Sequence, residues 1–181
     1  MTIDARISRD ELIRRIRRSA YLRGEFTLRS GRKSNVYLDK YLFETQPDIL
    51  AELGRLLADR RTPRTRRIAG AELGGIALAA AASLAAGLPF VIVRNRKKDY
   101  GTAKPIEGRI ETGDLVLLVE DIATTGGQAI EAAAALREAG ATVERVVAVV
   151  DRQEGAAENF NKAELIFESL VTLREIEAAG E

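Results

Sequence analysis

Apolar positions recur along this chain in two rhythms, and the changes from one to the other mark out its elements. Leu12, Ile13 and Ile16 form one side of an arginine-rich stretch at helical spacing, and Ser8-Arg9-Asp10-Glu11 ahead of them reads as a capping box. A first helix is therefore expected to about Ser19. Residues 25–28 and 35–38 have strand character on either side of a polar turn, and Pro47 or Asp48 opens a second helix to about Asp59. Beyond it the rhythms alternate: strand 67–71, helix 74–86, strand 90–94, strand 115–120, helix 127–139, strand 142–150. Residues 156–163 read as helical, 166–171 as a strand, and Thr172 as the cap of a last short helix. The alternation predicts an α/β fold, a central parallel sheet flanked by helices. No linker or internal repeat divides the 181 residues, so one domain over 1–181 is expected.

Composition narrows the chemistry. Lys and Arg together number 28 against 27 Asp and Glu, a net charge of +1 that offers no global field for nucleic acid or an anionic membrane. Neither partner is expected. With no cysteine, disulfides and thiolate catalysis are excluded; with no histidine, so are the Ser-His triads and the His-based metal sites. The alanine-rich stretch 76–86 is too short to span a bilayer, and no apolar N-terminal segment marks the chain for export, so a cytoplasmic location is expected. Any reaction must run on carboxylates, Lys, Arg, Tyr and backbone dipoles.

The densest chemistry lies in Leu115 to Ile130, LVLLVEDIATTGGQAI. Five apolar residues suit a strand covered on both faces, and Glu120-Asp121 then fall at its C-terminal end, where open α/β sheets bind ligands. Ala123-Thr-Thr-Gly-Gly127 can wrap backbone N–H groups around an anion at the start of the next helix. The whole suits a phosphorylated sugar, with phosphate on the turn and hydroxyls on the carboxylates. Neither a G-x-x-x-x-G-K-[ST] nor a G-x-G-x-x-G fingerprint is present. Gly70-Ala-Glu-Leu-Gly74-Gly75 is a second candidate anion loop at the same edge, although glycine at a tight strand-to-helix junction also has a purely structural reading. Residues 94–110 lack apolar periodicity and are rich in Arg, Lys, Gly and Pro, as expected of a lid or binding loop for an anion, the alternative being a solvated hairpin. Arg152, after strand 142–150, can grip a carboxylate bidentately or else pair with Asp151 or Glu154.

Together these pieces resemble the type I phosphoribosyltransferases, and more closely their orotate branch. Val119-Glu-Asp-Ile-Ala-Thr-Thr-Gly-Gly127 is similar to that family's phosphoribosyl pyrophosphate motif. Three further stretches point to orotate: Gly24-Glu-Phe-Thr-Leu-Arg-Ser-Gly-Arg-Lys-Ser34 is similar to the segment placed over the base, Arg94 to Gly101 to a mobile catalytic loop, and Val150-Asp-Arg-Gln-Glu154 to the strand end that carries an orotate-binding Arg. The resemblance implies the type I fold with a small N-terminal hood, about residues 1–40, and a mobile loop. It implies that Glu120 and Asp121 hold the ribose hydroxyls and that the backbone of Ile122, Ala123, Thr124, Thr125, Gly126, Gly127 and Gln128 cradles the 5-phosphate. Glu72, Leu73 and Gly74, following Ala71, match the pyrophosphate loop. Arg94, Arg96, Lys97 and Lys98 would contact the pyrophosphate, with Lys98, Tyr100 and Asp121 as the catalytic group. Thr124, Arg152, Arg29, Tyr37 and Leu38 would take orotate, with Arg152 on its carboxylate.

Further implications are a homodimer whose subunits share active sites through Lys98, and Mg²⁺ carried by the substrate rather than by a protein cage. The implied reaction joins orotate to the ribose of phosphoribosyl pyrophosphate, giving orotidine 5-monophosphate and pyrophosphate in pyrimidine biosynthesis. Many members have Lys at the positions of Asn95, Arg29 and Gly74, His at Tyr100, and a hydroxyl at Gln128. A purine or xanthine phosphoribosyltransferase, or a non-catalytic sensor of phosphoribosyl pyrophosphate, are the alternatives.

Overall fold

The apolar runs 115–119 and 146–150 become the centre of a sheet because both of their faces find a helical partner. The computed structural model describes residues 6–27, 31, 33–95 and 105–180. Its elements are α1 (Arg9–Ala20), β1 (Tyr21–Thr27), β2 (Lys33–Leu38), α2 (Lys40–Glu44), α3 (Pro47–Ala58), β3 (Thr65–Ala71), α4 (Gly74–Ala86), β4 (Phe90–Val93), β5 (Ile106–Glu107), β6 (Leu115–Ala123), α5 (Gly127–Glu138), β7 (Thr142–Asp151), α6 (Ala156–Lys162), β8 (Ile166–Thr172) and α7 (Leu173–Ala178). Among the described residues a six-stranded sheet runs β5-β4-β3-β6-β7-β8, parallel except for β5, and β1 and β2 form a separate antiparallel hairpin. Numbered by themselves, the five parallel strands have the order 2-1-3-4-5, so the connections reverse direction between β3 and β6. Ligand sites of such sheets lie at that reversal, beyond the strands' carboxyl ends.

Alternation along β6 divides the core. Leu117 and Val119 pack with Leu12, Ile16, Leu53, Leu78 and Ile176 on one side, while Val116 and Leu118 pack with Ala129, Ala133, Leu136 and Phe160 on the other. On the first side α3 and α4 cross so closely that a Cβ on Gly54 would lie 2.7 Å from the Ala81 backbone. No helix among the described residues is long and apolar enough to cross a membrane.

The structure departs from the sequence reading at several boundaries. β6 does not end at Glu120 but continues to Ala123, still paired with β7 through Ile122–Val150 and Ala123–Asp151. The acidic pair thus sits inside a strand. β1 begins at Tyr21, four residues before the expected start, because its hairpin register with β2 runs back to Leu38. α2 and β5 have no periodic signal in the sequence; the first is a five-residue turn capped by Asp39, and the second is two residues defined by pairing to Ile92 and Val93. The Ser8 box is half made: Ser8 accepts from the Glu11 N–H, but the Glu11 carboxylate turns to Arg15, Arg14 and Arg18. Hydrogen bonds from those guanidiniums, Arg15 first, hold its pKa down to about 2. Thr172, by contrast, forms a complete box with Glu175.

Candidate active site

Four strand ends converge on one edge of the sheet, and each delivers a group named from the sequence. β3 leads through Glu72 and Leu73 into α4, β6 through Thr124, Thr125 and Gly126 into α5, β7 to Arg152, and β4 to Arg94 and Asn95. The hairpin β1–β2 and helix α2 come over this edge from the N-terminal side, tied by the Asp39 N–H to the Ala20 carbonyl.

At the centre lies the acidic pair. Glu120 and Asp121 are 7% and 3% exposed. Asp121 accepts a hydrogen bond from Lys40 Nζ at 2.5 Å, whereas Oε2 of Glu120 is buried with no partner among the described residues. Burial, and then the charge of Asp121, push the Glu120 carboxyl well above its usual range. Burial works against the charge of Lys40, yet its hydrogen bond to Asp121 prevails and the ammonium is held above its ordinary pKa. Glu44, one helical turn beyond Lys40, is 2% exposed; burial, and then the charge of Asp121, raise its pKa to about 8. Sequence reading missed both Lys40 and Glu44. Lysine with an acid four residues later looks like an ordinary helix-surface pair.

The two glycine turns beside the pair are built differently. A Cβ on Gly74 would lie 1.7 Å from Asp121 Oδ2, and one on Gly70 would lie 2.0 Å from the Gly75 carbonyl oxygen. These glycines make room for protein atoms. Gly126 has φ +79° and a Cβ there would meet the Phe160 ring at 2.8 Å, so it turns the chain over a fixed aromatic floor. Thr125, Gly127 and Gln128 on this second turn are exposed, and α5 starts with no side-chain cap. Its first N–H groups are open to an anion. Asn159 donates to the Thr125 carbonyl at 2.9 Å and fixes the turn from α6.

Two residues at which this chain differs from many members meet one another. Gln128 Nε2 donates to the Glu72 carbonyl at 2.7 Å and to Asn95 Oδ1 at 3.1 Å; Asn95 Nδ2 donates to the same carbonyl at 2.9 Å, and the Asn95 N–H to Glu72 Oε1 at 2.7 Å. Gln128 thus spends its amide on tying the root of the 94–104 stretch to the β3–α4 turn, rather than standing in for a phosphate-binding hydroxyl. Leu73 is 65% exposed at the lip of that turn.

The remaining candidates are placed unevenly. Arg94 has a buried Nε with no partner among the described residues and lies 3.7 Å from Glu107. Arg152 donates to Glu154 at 2.9 Å, so in the free chain it takes the ion pair that the sequence offered as its alternative. A substrate carboxylate would have to compete with Glu154. Tyr37 is 40% exposed and stands 5.5 Å from Phe26, ring to ring, on the hairpin. Leu38 is buried, with its side chain packed in the core. Arg29, Arg96, Lys97, Lys98 and Tyr100 lie outside the described residues. No group of three or more acidic metal ligands is found among the described residues.

Residues 43–169 match the model of the phosphoribosyl transferase domain family. The orotate phosphoribosyltransferase of Natronomonas pharaonis is 49% identical over 153 residues, 84% of this chain and 87% of that protein. That of Methanocaldococcus jannaschii is 44% identical over 155 residues, covering 86% and 88%. Among solved structures, orotate phosphoribosyltransferase from Aeropyrum pernix superposes with a TM-score of 0.81 at 32% identity, covering 96% of this chain and 98% of that one. The Mycobacterium tuberculosis enzyme, solved in complex with phosphoribosyl pyrophosphate, gives 0.78 at 33% identity, covering 93% and 98%.

Proposed function

The chain belongs to the phosphoribosyltransferase family, in its orotate branch, and from that premise we propose that it transfers the 5-phosphoribosyl group of phosphoribosyl pyrophosphate to orotate. The products are orotidine 5-monophosphate and pyrophosphate, a step of pyrimidine biosynthesis. The observation that carries this reading is the buried Glu120–Asp121 pair, set between the open N-terminus of α5 and the strand end bearing Arg152. Orotate N1 attacks the anomeric carbon as pyrophosphate leaves, through a transition state with oxocarbenium character.

No covalent nucleophile is needed, which suits a chain without Cys or His. The protein's part is electrostatic and positional. Glu120 and Asp121 hold the ribose hydroxyls; the backbone from Ile122 to Gln128 and the open N–H groups of α5 hold the 5-phosphate; Thr124 and Arg152 orient orotate. Arg94, Arg96, Lys97 and Lys98, with Tyr100, stabilise the charge that builds on the departing pyrophosphate. Mg²⁺ fits such a site, because buried carboxylate oxygens, one of them unpartnered, are hard donors beside the ribose hydroxyls that would share the ion. When bound, it neutralises pyrophosphate charge.

The working unit is a cytoplasmic homodimer in which Lys98 serves the partner's site. Two measurements test this. Spectrophotometric orotate consumption with phosphoribosyl pyrophosphate and Mg²⁺ should be rapid, and uracil should be poorer by about 10⁴-fold, since it would leave Arg152 without a carboxylate. Comparable use of uracil, or of a purine, would remove orotate; binding without turnover would mark a sensor. Arg152→Ala and Lys98→Ala should each lose about 10–100-fold in activity, and refolding the two together should restore part of it. No recovery would mean that each lid serves its own subunit.

A further inference from the structure

We propose that Lys40 is a further substrate-binding residue, a cation that reaches the pyrophosphate of phosphoribosyl pyrophosphate from α2. The proposal rests on the phosphoribosyl-transfer reading above and adds a residue that its motifs do not contain. Lys40 is the first residue of a helix of only five, capped by Asp39, and its side chain is 30% exposed. From there its Nζ donates to Asp121 Oδ2 at 2.5 Å. The same atom lies 3.1 Å from the point that a Cβ on Gly74 would occupy. It therefore stands where the acidic pair meets the β3–α4 turn, the loop matched to pyrophosphate.

That turn lacks a cation of its own. Glu72, Leu73 and Gly74 carry no positive charge, and no side chain fits at Gly74 while Asp121 Oδ2 lies 1.7 Å from its Cβ position. Lys40 supplies an ammonium to the same spot from a different element. An ammonium has three N–H groups, and Asp121 takes one. Part of the side chain remains open to solvent.

The surrounding charge favours the same role. Burial and the charge of Asp121 raise the pKa of both Glu120 and Glu44, so the negative charge facing this pocket is that of Asp121, and a pyrophosphate bearing several negative charges needs a counter-charge to approach it. An ammonium already fixed by Asp121 provides that counter-charge without reorganisation.

The test compares wild-type protein with Lys40→Met and Lys40→Arg. Calorimetric titration with pyrophosphate and Mg²⁺, without orotate, should show affinity about 10–100-fold lower in Lys40→Met, the loss expected of one charge-assisted hydrogen bond, with much of it restored in Lys40→Arg. KM for phosphoribosyl pyrophosphate should rise with it, while KM for orotate stays within about twofold, a difference too small to mark a lost contact. Should Lys40→Met fail to fold, Lys40→Gln, which keeps a donor for Asp121 but no charge, should show the same loss. Unchanged pyrophosphate affinity in a folded, neutral variant would overturn the proposal and reduce Lys40 to a partner of Asp121. A wild-type protein that binds pyrophosphate but turns over no orotate would count against the assigned reaction, and the titrations would still decide Lys40.

Discussion

Two glycine-rich turns flank the point where the sheet's connections reverse, and they use glycine for opposite reasons. In the β3–α4 turn the missing side chains are filled by protein: the Asp121 carboxylate occupies the space over Gly74, and the Gly75 carbonyl the space over Gly70. In the β6–α5 turn only Gly126 is conformationally required. Gly127 has nothing nearer than Thr125 Oγ1 at 3.9 Å around its Cβ position, and Thr125 and Gln128 face solvent. One turn is packed against the Asp121 carboxylate and the other is left open to solvent. A glycine count alone could not separate them.

Paired substitutions should break or confirm that contrast, and they carry the largest effects expected. Gly74→Ala forces a methyl into Asp121, so it should harm the protein before any ligand is present. Overpacking of this kind costs about 1–3 kcal/mol, and each kcal/mol lowers Tm by about 2–4 °C in a chain of this size. Displacing Asp121 should also cut kcat/KM for phosphoribosyl pyrophosphate by about 100-fold or more. Gly127→Ala should leave Tm unchanged or slightly higher, since alanine favours the helix by up to about 1 kcal/mol. It should nevertheless raise KM for phosphoribosyl pyrophosphate, because the methyl intrudes on the cradle. Melting curves and steady-state assays of the two variants decide the matter; an unaffected KM in Gly127→Ala would mean that phosphate does not approach this turn.

A smaller effect is expected one strand away. Arg152→Ala should reduce kcat/KM for orotate by about 10–100-fold, the value of a charged hydrogen bond. Glu154→Gln tests whether the 2.9 Å pair competes with substrate. Removing a partly exposed ion pair is worth up to about 1 kcal/mol, so KM for orotate should fall by about fivefold at most. A rise in that KM would show that Glu154 holds Arg152 ready rather than occupying it.

The latch between the turns comes next. Gln128→Ala removes both side-chain bonds to Glu72 and Asn95, and Asn95→Ala removes the rest of the side-chain contact. Neither residue is buried, so each loss should cost about 1 kcal/mol or less in stability and three- to tenfold in kcat/KM. Because the two amides serve one carbonyl, the double variant should lose less than the sum of the singles. Full additivity in a double-mutant cycle would show that the two amides act independently.

What the sequence made legible follows the same division between local and distant causes. β6 and β7 could be read because strands covered on both faces show as continuous apolar runs, and α5 because glycines precede an alanine-rich helix of ordinary length. β6 looked shorter than it is because two charged residues resemble a strand end; only pairing with β7 carries it on to Ala123. The acidic pair, the β6–α5 glycine turn and the Arg152 strand end were legible as local features because each is contiguous in sequence. Lys40 was not, since the contact that defines it spans 81 positions. The meeting of Asn95 with Gln128, 33 positions apart, was equally invisible. Both residues look like losses from the family pattern until the fold brings them together.

A last test asks whether the packed turn is also strained electrostatically. Glu44 lies behind Lys40 and Asp121, nearly sealed from water, and burial raises its pKa to about 8 from 4.5. The folded protein therefore holds a proton that the unfolded chain has released between those two values. Stability must fall as pH rises through this window, and the contribution is fully present only below about pH 4.5. Glu44→Gln cannot ionise. It should match the wild type near pH 4.5 and exceed it by about 1–3 kcal/mol near pH 8, once screening and relaxation reduce the full linkage value, which corresponds to a Tm difference of a few degrees. Melting curves that stay parallel for the two proteins across this range would mean that water or a cation reaches Glu44, and that the packed turn is closed by shape alone.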